Sequence, residues 1–569
     1  MNINRRIKLG GISGVSLLLS LSCIIPAYAS ENSVLWLDSY DSVEEFSCGF
    51  ARVEKDGEAY FIDPKGERLE IHTEYVDRYL GSFHSGLAAF VQKREAAEGE
   101  PAAGTGWIGL DGTVVFPPEY DYHILGGSDF RRNIVFTRDL EGNSVVLGCC
   151  GRVLATAPEQ IELYKFPDTQ NGLAPALITD ETGEQKLGFV DQEFNVVLPG
   201  RYCDTLYGFL EGGAYVDLIP WSKSCIINTR GELIWGPVDF DNPYWFDIAD
   251  GFWNGLISVP DESGKWGAID TYGNLVVPYE YDYYFEFHEG YAFAYKDGVL
   301  QVIDTSGNLT LPYVESWNFE LDNNQYRFSE GLASICSDGK WGYIDVSGQT
   351  IIPCIYNEAR PFSEGLAWVR RDDNVWGILK SPFAEYSDWA DDGIGEAYIH
   401  EIVTDRTSSH FQSSLTRIQC AELMVNLAEL VTGRPIFEAE TDRFTDTADW
   451  IPRKGVTAGV VEGLGDGTYF GPDETVSREQ MAAMLYRAIQ YIQEQTGRSV
   501  LAEAGGLDGF TDAGQVSGWA ADSLAALTAS GILQGTSSAT LSPKDTTTVE
   551  QAILLTLRAW QELSKQVGT

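Results

Sequence analysis

The chain has 569 residues, 84 of them acidic against 39 basic, for a formal net charge of −45. That balance excludes a nucleic-acid binder, which needs a basic face to displace counterions from phosphates, and disfavours an anionic membrane surface for the same reason. At 44% hydrophobic residues the chain can bury cores, and its length calls for more than one domain. The 12% aromatic share and 59 glycines suit strands and tight turns.

The N-terminus carries Arg5, Arg6 and Lys8, then an apolar run from Leu9 to Ile25, then Ala27-Tyr28-Ala29. This is the three-part pattern of a secretory signal peptide, so residues 1–29 are expected to be removed and the protein to work outside the cytoplasm. Gly10, Gly11 and Gly14 interrupt the run, which disfavours a retained anchor. Cys23 lacks the Leu three residues earlier that a lipoprotein signal wants, since Ser20 stands there. Removing three basic and no acidic residues takes the formal charge from −45 to −48. The eight remaining cysteines are scattered over the chain and predict no disulfide framework. The adjacent pair Cys149-Cys150 is a poor chelate by itself.

From residue 34 to 380 the sequence repeats itself. One unit reads Phe328-Ser-Glu-Gly331-Leu-Ala, then Asp338-Gly-Lys-Trp341-Gly342-Tyr-Ile-Asp345, then Val-Ser-Gly348-Gln-Thr-Ile-Ile-Pro353. Gly followed by a bulky residue recurs at Gly49, Gly86, Gly172, Gly255, Gly290, Gly331 and Gly365, which implies about nine units. The aromatic and branched runs predict short strands. Asp63-Pro-Lys-Gly66, Asp270-Thr-Tyr-Gly273, Asp304-Thr-Ser-Gly307 and Asp345-Val-Ser-Gly348 predict hairpin turns, with Asp bonding the backbone two residues on and Gly taking the left-handed conformation. Trp266, Trp341 and Trp376 hold fixed places in their strands and are read as core.

These phrases resemble the Trp-Gly (WG or KWG) repeats of many bacterial proteins. The resemblance implies a β repeat or interaction module with no common reaction, built as a propeller-like toroid or an open β stack. Aromatics outside the repeated positions are the candidates for a protein- or glycan-binding surface on the array: Trp245, Trp253, Tyr281, Tyr283 and Tyr284.

Past Lys380 the pattern turns helical. Met481, Met484, Leu485, Ala488 and Ile489 share one helical face. Thr416 with Gln419, Ser477 with Gln480 and Thr547 with Glu550 stand at capping-box spacing and predict three repeats. Upstream of each lies an aromatic-x-Asp phrase followed by a Trp: Asp388 with Trp389, Asp446 with Trp450, and Asp512 with Trp519. The phrases Gly459-Val-Val-Glu-Gly463 and Gly531-Ile-Leu-Gln-Gly535 follow, then Phe470-Gly-Pro472 and Leu541-Ser-Pro543.

This order of phrases resembles three S-layer homology repeats, at 386–433, 444–493 and 510–561. The resemblance implies an all-α, three-fold pseudo-symmetric bundle that binds secondary cell-wall polysaccharide of Gram-positive bacteria, often a polymer bearing pyruvate ketals. It also implies that the Arg opening the last helix of each repeat contacts the acidic sugar, which maps onto Thr416-Arg417 and Ser477-Arg478. A forked Arg donor beside free backbone N–H groups at a helix start suits a carboxylate. Thr548 is read at the Arg position of the third repeat, which leaves at most two fully equipped grooves, while Asp388, Asp446, Asp512, Trp389, Trp450 and Trp519 complete the candidate wall-binding set.

No enzyme motif stands out. The six histidines lack metal-ligand spacing, the mature chain has no Gly-x-Ser-x-Gly elbow, and no phosphate-cradling loop leads into a Lys. No catalytic residue, metal or cofactor is expected. The sequence reads as an exported, wall-anchored protein displaying a β array that binds a protein or glycan. A wall-anchored carbohydrate hydrolase and a structural surface-layer component are the alternatives.

Overall fold

The computed structural model describes residues 34–567 apart from 73–77, 80, 94–102, 121–129, 131, 150, 165–172, 206–208, 211, 220–222, 240–250, 312–325, 440–442, 448, 500 and 504. The candidate Trp245, Cys150, Gly172 and the signal segment lie outside the described residues.

Residues 34–380 form nine small antiparallel sheets among the described residues. Sheets one to eight run consecutively along the chain, at 42–62, 78–120, 134–156, 161–202, 213–239, 256–281, 291–311 and 328–356. The ninth takes its last strands, Glu358–Ala359, Leu366–Arg370 and Trp376–Lys380, from the end of the array and its edge strand, Val34–Trp36, from the beginning. A three- or four-stranded sheet stands only with its apolar face covered, and each one here is buried by its neighbours. One apolar cluster joins each sheet to the next, and a further one joins sheet nine back to sheet one through Trp368, Trp376, Phe46 and Val53. Trp107, Trp266 and Trp368 are fully buried in these clusters. An aromatic side chain removes roughly 150–250 Å² from water, worth about 4–6 kcal/mol gross each at about 25 cal/mol per Å².

Two kinds of turn shape every sheet. In the Asp-x-x-Gly turns, the Asp63 carboxylate accepts from Lys65 N and Glu67 N, and Asp270, Asp304 and Asp345 repeat that pattern. The other kind is a two-residue hairpin such as Glu330-Gly331, in which both residues have positive φ, 57° and 77°. This is the type I′ geometry that matches strand twist.

At six of these turns the side chain before the last residue of the turn reaches the same turn of the following sheet. Glu289 accepts from Glu330 N at 2.5 Å and Gly331 N at 2.8 Å. Glu330 accepts from Gly365 N at 2.9 Å, and Glu364 accepts from Cys48 N at 2.6 Å and Gly49 N at 2.7 Å. Cys48 Sγ accepts from Gly86 N, Ser85 Oγ from Asn133 N, and Asn254 Oδ1 from Gly290 N. The Glu364 link ties the last sheet to the first.

The C-terminal part holds three pairs of a short helix followed by a long one: α1 (Asp391–Ile399) with α2 (Arg417–Thr432), α3 (Trp450–Thr457) with α4 (Arg478–Thr496), and α5 (Ala521–Ala529) with α6 (Val549–Val567). The long helices pack on one another. Each short helix packs on a long helix of a neighbouring pair: α3 on α2, α5 on α4, and α1 on α6. One continuous apolar core, including Met424, Leu485 and Ile553, unites them.

The bundle sits on the hairpin turns of the array. Glu401 accepts from Ser85 Oγ and Arg132 N, and Gln192 donates to Thr432 O. Arg230 donates to Glu438 O, and Thr271 to the Glu438 carboxylate. A Cβ on Gly255 would come within 2.7 Å of Trp450, and this glycine has φ +75°. Glu429 is buried between Lys454 at 2.8 Å and Arg132 of the array at 3.0 Å. Burial pushes its carboxyl up, but these two cations and the Ile436 N–H outweigh that and hold it below the ordinary value.

Tyr398 of the bundle lies near Glu289, Glu330 and Glu364, with Ser408 and Asp405 close to Glu289. Burial raises all three glutamates, Glu289 to about 8. A carboxyl raised in the folded state contributes its full stability below its unfolded pKa and loses it as pH rises through the folded one. The fold is therefore expected to weaken from the ordinary carboxylate range up to about pH 8, and Glu289→Gln to remove part of that slope. Thermal unfolding at about pH 5 and about pH 8.5 tests this, because surface repulsion is common to both proteins and their difference isolates the buried group. The variant's melting temperature relative to wild type should rise with pH; a pH-independent difference refutes the account.

Candidate functional site

The arginines at the start of the long helices fasten one repeat to the next. Thr416 and Gln419 form a reciprocal capping box, as do Ser477 and Gln480, and this fixes the first turn of α2 and α4. From there Arg417 donates through Nε to Phe470 O and through Nη2 to Glu462 O, both at 2.8 Å. It is 7% exposed, with its guanidinium 5.1 Å over the Phe470 ring. Arg478 donates in the same way to Gln534 O. Both arginines thus hold the Gly-bounded phrase of the following repeat.

The third repeat differs from the sequence reading by one residue. Its capping pair is Thr548 with Gln551, and α6 begins at Val549, so Val549 and not Thr548 occupies the Arg position. Thr547, read as the cap, is buried and its backbone N–H bonds Val476 O. The run Thr546-Thr547-Thr548 offers three equivalent cap candidates, and tertiary pairing selects the last.

Asp446 and Asp512 hold equivalent places. The Asp446 carboxylate accepts from Phe470 N at 2.8 Å and Gly471 N at 2.7 Å, and Asp512 accepts from Leu541 N at 2.9 Å and Ser542 N at 2.7 Å. Burial pushes Asp446 up, but the two N–H groups outweigh it and leave it below the ordinary value; for Asp512 the Leu541 N–H is the main cause of the same shift. Asp388 is not their counterpart. It opens the short 3₁₀ turn Asp388–Ala390 directly before Trp389 and is exposed.

The three tryptophans divide. Trp389 and Trp519 are 60% and 57% exposed, whereas Trp450 is half-buried against Gly255 of the array with Lys454 Nζ 4.6 Å over its ring. Its indole N–H is buried without a hydrogen-bond partner among the described residues. The Ser two residues before each exposed Trp is held by a glutamate of another repeat: Glu550 accepts from Ser387 N and Oγ, and Glu479 from Ser517 N and Oγ. The sequence suggests Glu550 only as a capping partner of Thr547. Both glutamates are second residues of their helices, and Ile418 stands at that place in α2. There Asp449 caps its own helix instead, accepting from Ile451 N.

On the array, Tyr281 is 4% exposed and packs on Phe285 in an inter-sheet core, which removes it from the ligand-surface candidates. Tyr283 and Tyr284 are exposed. Trp253 is half-buried against His288, ring centroids 4.8 Å apart. Two clefts of about 690 Å³ each are present. One lies between array and bundle, lined by Asn274, Ser306, Asp446, Trp450 and Arg453 among others; the second lies beside Trp36, Tyr356 and Arg371. Among the described residues no cluster of three His, Cys, Asp or Glu is arranged to hold a metal ion, no disulfide joins the cysteines, and no helix is long and apolar enough to cross a membrane.

Residues 39–58, 266–299 and 341–376 match the WG containing repeat, and residues 454–482 and 509–553 match the S-layer homology domain. The chain is 27% identical over 184 residues to exoglucanase XynX of Acetivibrio thermocellus, covering 31% of this chain and 16% of that protein. It is 25% identical over 178 residues to an endoglucanase of Bacillus sp. strain KSM-635, covering 30% of this chain and 18% of that one. The chain thus spans less than a fifth of the length of either relative. Among solved structures, a eukaryotic initiation factor aligns over 55% of this chain and 86% of its own, at 12% identity and a TM-score of 0.35. BamB of Moraxella catarrhalis aligns over 61% and 98%, at 9% identity and a TM-score of 0.26.

Replacing Arg417 by Met leaves the buried Phe470 carbonyl and the part-buried Glu462 carbonyl without this donor, which costs about 2 kcal/mol. Arg478→Met is expected to cost less, since Arg478 makes one such bond. Urea unfolding of the two variants checks the order.

Proposed function

The chain carries WG containing repeats in its N-terminal and middle regions and an S-layer homology domain at its C-terminus, and from that premise we propose an exported protein held non-covalently on secondary cell-wall polysaccharide by its helical bundle, with the β array displayed as a binding module for a protein or glycan. The observation that carries this reading is the pair of indoles Trp389 and Trp519. Each is more than half exposed at the same place, ahead of a short helix, on a bundle whose other large apolar side chains are mostly buried. An exposed aromatic face fixed by a hydrogen-bonded neighbour is the chemistry that stacks on a sugar ring. Ser387 and Ser517, locked by Glu550 and Glu479, supply that fixing. The arginines serve here by tying the repeats together, since Arg417 is 7% exposed and both direct guanidinium donors to backbone carbonyls of the next repeat.

We read the array as a propeller-like toroid, supported by the Val34–Trp36 strand completing sheet nine and by the core shared between sheets nine and one. Its nine sheets exceed the usual four to eight blades. Exposed Tyr283 and Tyr284 remain its candidate ligand surface, and we read the array as non-enzymatic. The two relatives are glucanases by name, which supports a carbohydrate-associated setting. A hydrolase reading finds no support in the Glu289, Glu330 and Glu364 cluster, because those carboxyl groups are buried and bonded to backbone N–H groups.

Cosedimentation of residues 30–569 with purified Gram-positive walls tests the anchor. Intact walls should retain the protein, and walls stripped of the secondary polymer should not. Trp389→Ala and Trp519→Ala are each expected to weaken retention roughly tenfold, about 1.4 kcal/mol, without lowering the melting temperature. Retention unchanged by stripping or by both substitutions defeats the proposal.

A further inference from the structure

The middle repeat presents its tryptophan to the array and not to solvent, and a cleft of about 690 Å³ opens beside it. That volume lies within the roughly 300–1,000 Å³ typical of ligand pockets, which favour domain interfaces. One wall is bundle: Asp446, Trp450 and Arg453. The facing wall is array: Asn274 in the turn of sheet six, and Thr305 and Ser306 in the turn of sheet seven.

The charged groups in this cleft are already engaged. Asp270 accepts from Tyr272 N, Asn274 N and Asn274 Nδ2 and lies 3.5 Å from Arg453. Glu438 accepts from Thr271 at 2.6 Å and lies 3.5 Å from the same guanidinium. Asp446 is held by two backbone N–H groups, and Asp449 by Ile451 N and Arg406. Four carboxylates therefore stand against one lining guanidinium, which repels a carboxylate-bearing ligand. The groups with capacity left are neutral. The Thr305 and Ser306 hydroxyls have no hydrogen-bond partner among the described residues, and Asn274 donates through Nδ2 with its Oδ1 unengaged. Hydroxyls and an amide oxygen beside an indole are the complement of a sugar's hydroxyls and C–H face.

We infer that this cleft is a composite glycan subsite in which the array supplies the hydrogen-bonding wall and the bundle the aromatic wall, and that it takes an uncharged oligosaccharide segment. The inference deepens the wall-anchoring reading and rests on the bundle being a glycan-binding module. It assigns the array a direct part in holding the glycan, and it separates a neutral subsite from the arginine-bearing starts of α2 and α4, where acidic sugar is expected.

The test is isothermal titration of residues 30–569 with neutral tetrasaccharides of glucose, galactose, mannose and N-acetylglucosamine, and with tetragalacturonate as the anionic probe. At least one neutral probe should bind at one site. Ser306→Trp, at an exposed turn position, should fill the cleft and weaken that binding at least tenfold, and Asn274→Ala should weaken it severalfold. A melting temperature equal to wild type shows that each variant is folded. Failure of all four neutral probes, binding untouched by Ser306→Trp, or tighter binding of tetragalacturonate through the same cleft overturns the inference. Wall cosedimentation of Ser306→Trp keeps the two readings apart. Walls still retained with tetrasaccharide binding unaffected sinks the composite subsite alone. Walls never retained, with tetrasaccharide binding lost on filling the cleft, sinks the wall-polymer reading and leaves the subsite standing.

Discussion

A buried acceptor reaching from one hairpin turn to the backbone N–H groups of the next governs this molecule. Glu289, Glu330 and Glu364 each sit at positive φ, a conformation that costs a non-glycine residue energy, and each spends its carboxylate on the following turn. Each carboxyl is buried and its oxygens accept from backbone N–H groups, so losing the acceptor leaves the donors buried and unsatisfied. The relay thereby converts independent sheets, each too small to stand alone, into a set whose spacing is fixed turn by turn. It also explains why the residue before Gly varies from Cys and Ser to Asn and Glu: each of the four can accept from an N–H, and Glu alone spans two donors.

The two modules solve the problem of chain ends in the same way. In the array the first strand joins the last sheet; in the bundle the first short helix packs on the last long one. Closure of this kind leaves no terminal repeat with an uncovered apolar face, the weakness that open repeat proteins meet with special capping units. It also makes each module intolerant of losing either end. The bundle then covers the relay, with Tyr398 near its three glutamates and Glu429 shared between Lys454 and Arg132. A buried carboxylate with two cationic partners is a specific fastener, since removing any partner leaves charge uncompensated in the interior.

What the sequence made legible was periodic or local. The Asp-x-x-Gly turns bond the backbone two residues on, as their residues predict, and the same carboxylate also accepts from the N–H four residues on. Trp266 and Trp376 are core because their strand positions recur, whereas Trp341, read the same way, is only half-buried against its inter-sheet cluster. Two capping boxes stand as read; the third slips by one because three threonines compete and the choice falls to pairing with another repeat. Asp388 was grouped with Asp446 and Asp512 by its neighbours in the chain, yet its place beside Trp389 makes it part of a helix start. Tyr281 looked like an aromatic outside the repeat, but strand alternation points it inward. The relay glutamates and the Glu479 and Glu550 locks were visible as residues and unreadable as contacts, because every partner lies in another repeat.

The placement of the bundle decides which end of the array is available. Turns at 85–86, 132–133, 192, 230, 255 and 271–272 meet the bundle, so in an antiparallel sheet the alternate turns lie at the opposite end. Those are the turns at Asp56-Gly57, Asp297-Gly298, Asp338-Gly339 and Asp372-Asp373, each carrying acid. In the proposed anchoring, an acidic wall polymer is attracted only where basic side chains offset the mean charge, and the acidic far end repels it over a Debye length of about 8 Å. Under the same proposal, that charge distribution favours an orientation with the bundle toward the wall and the free turns of the array away from it.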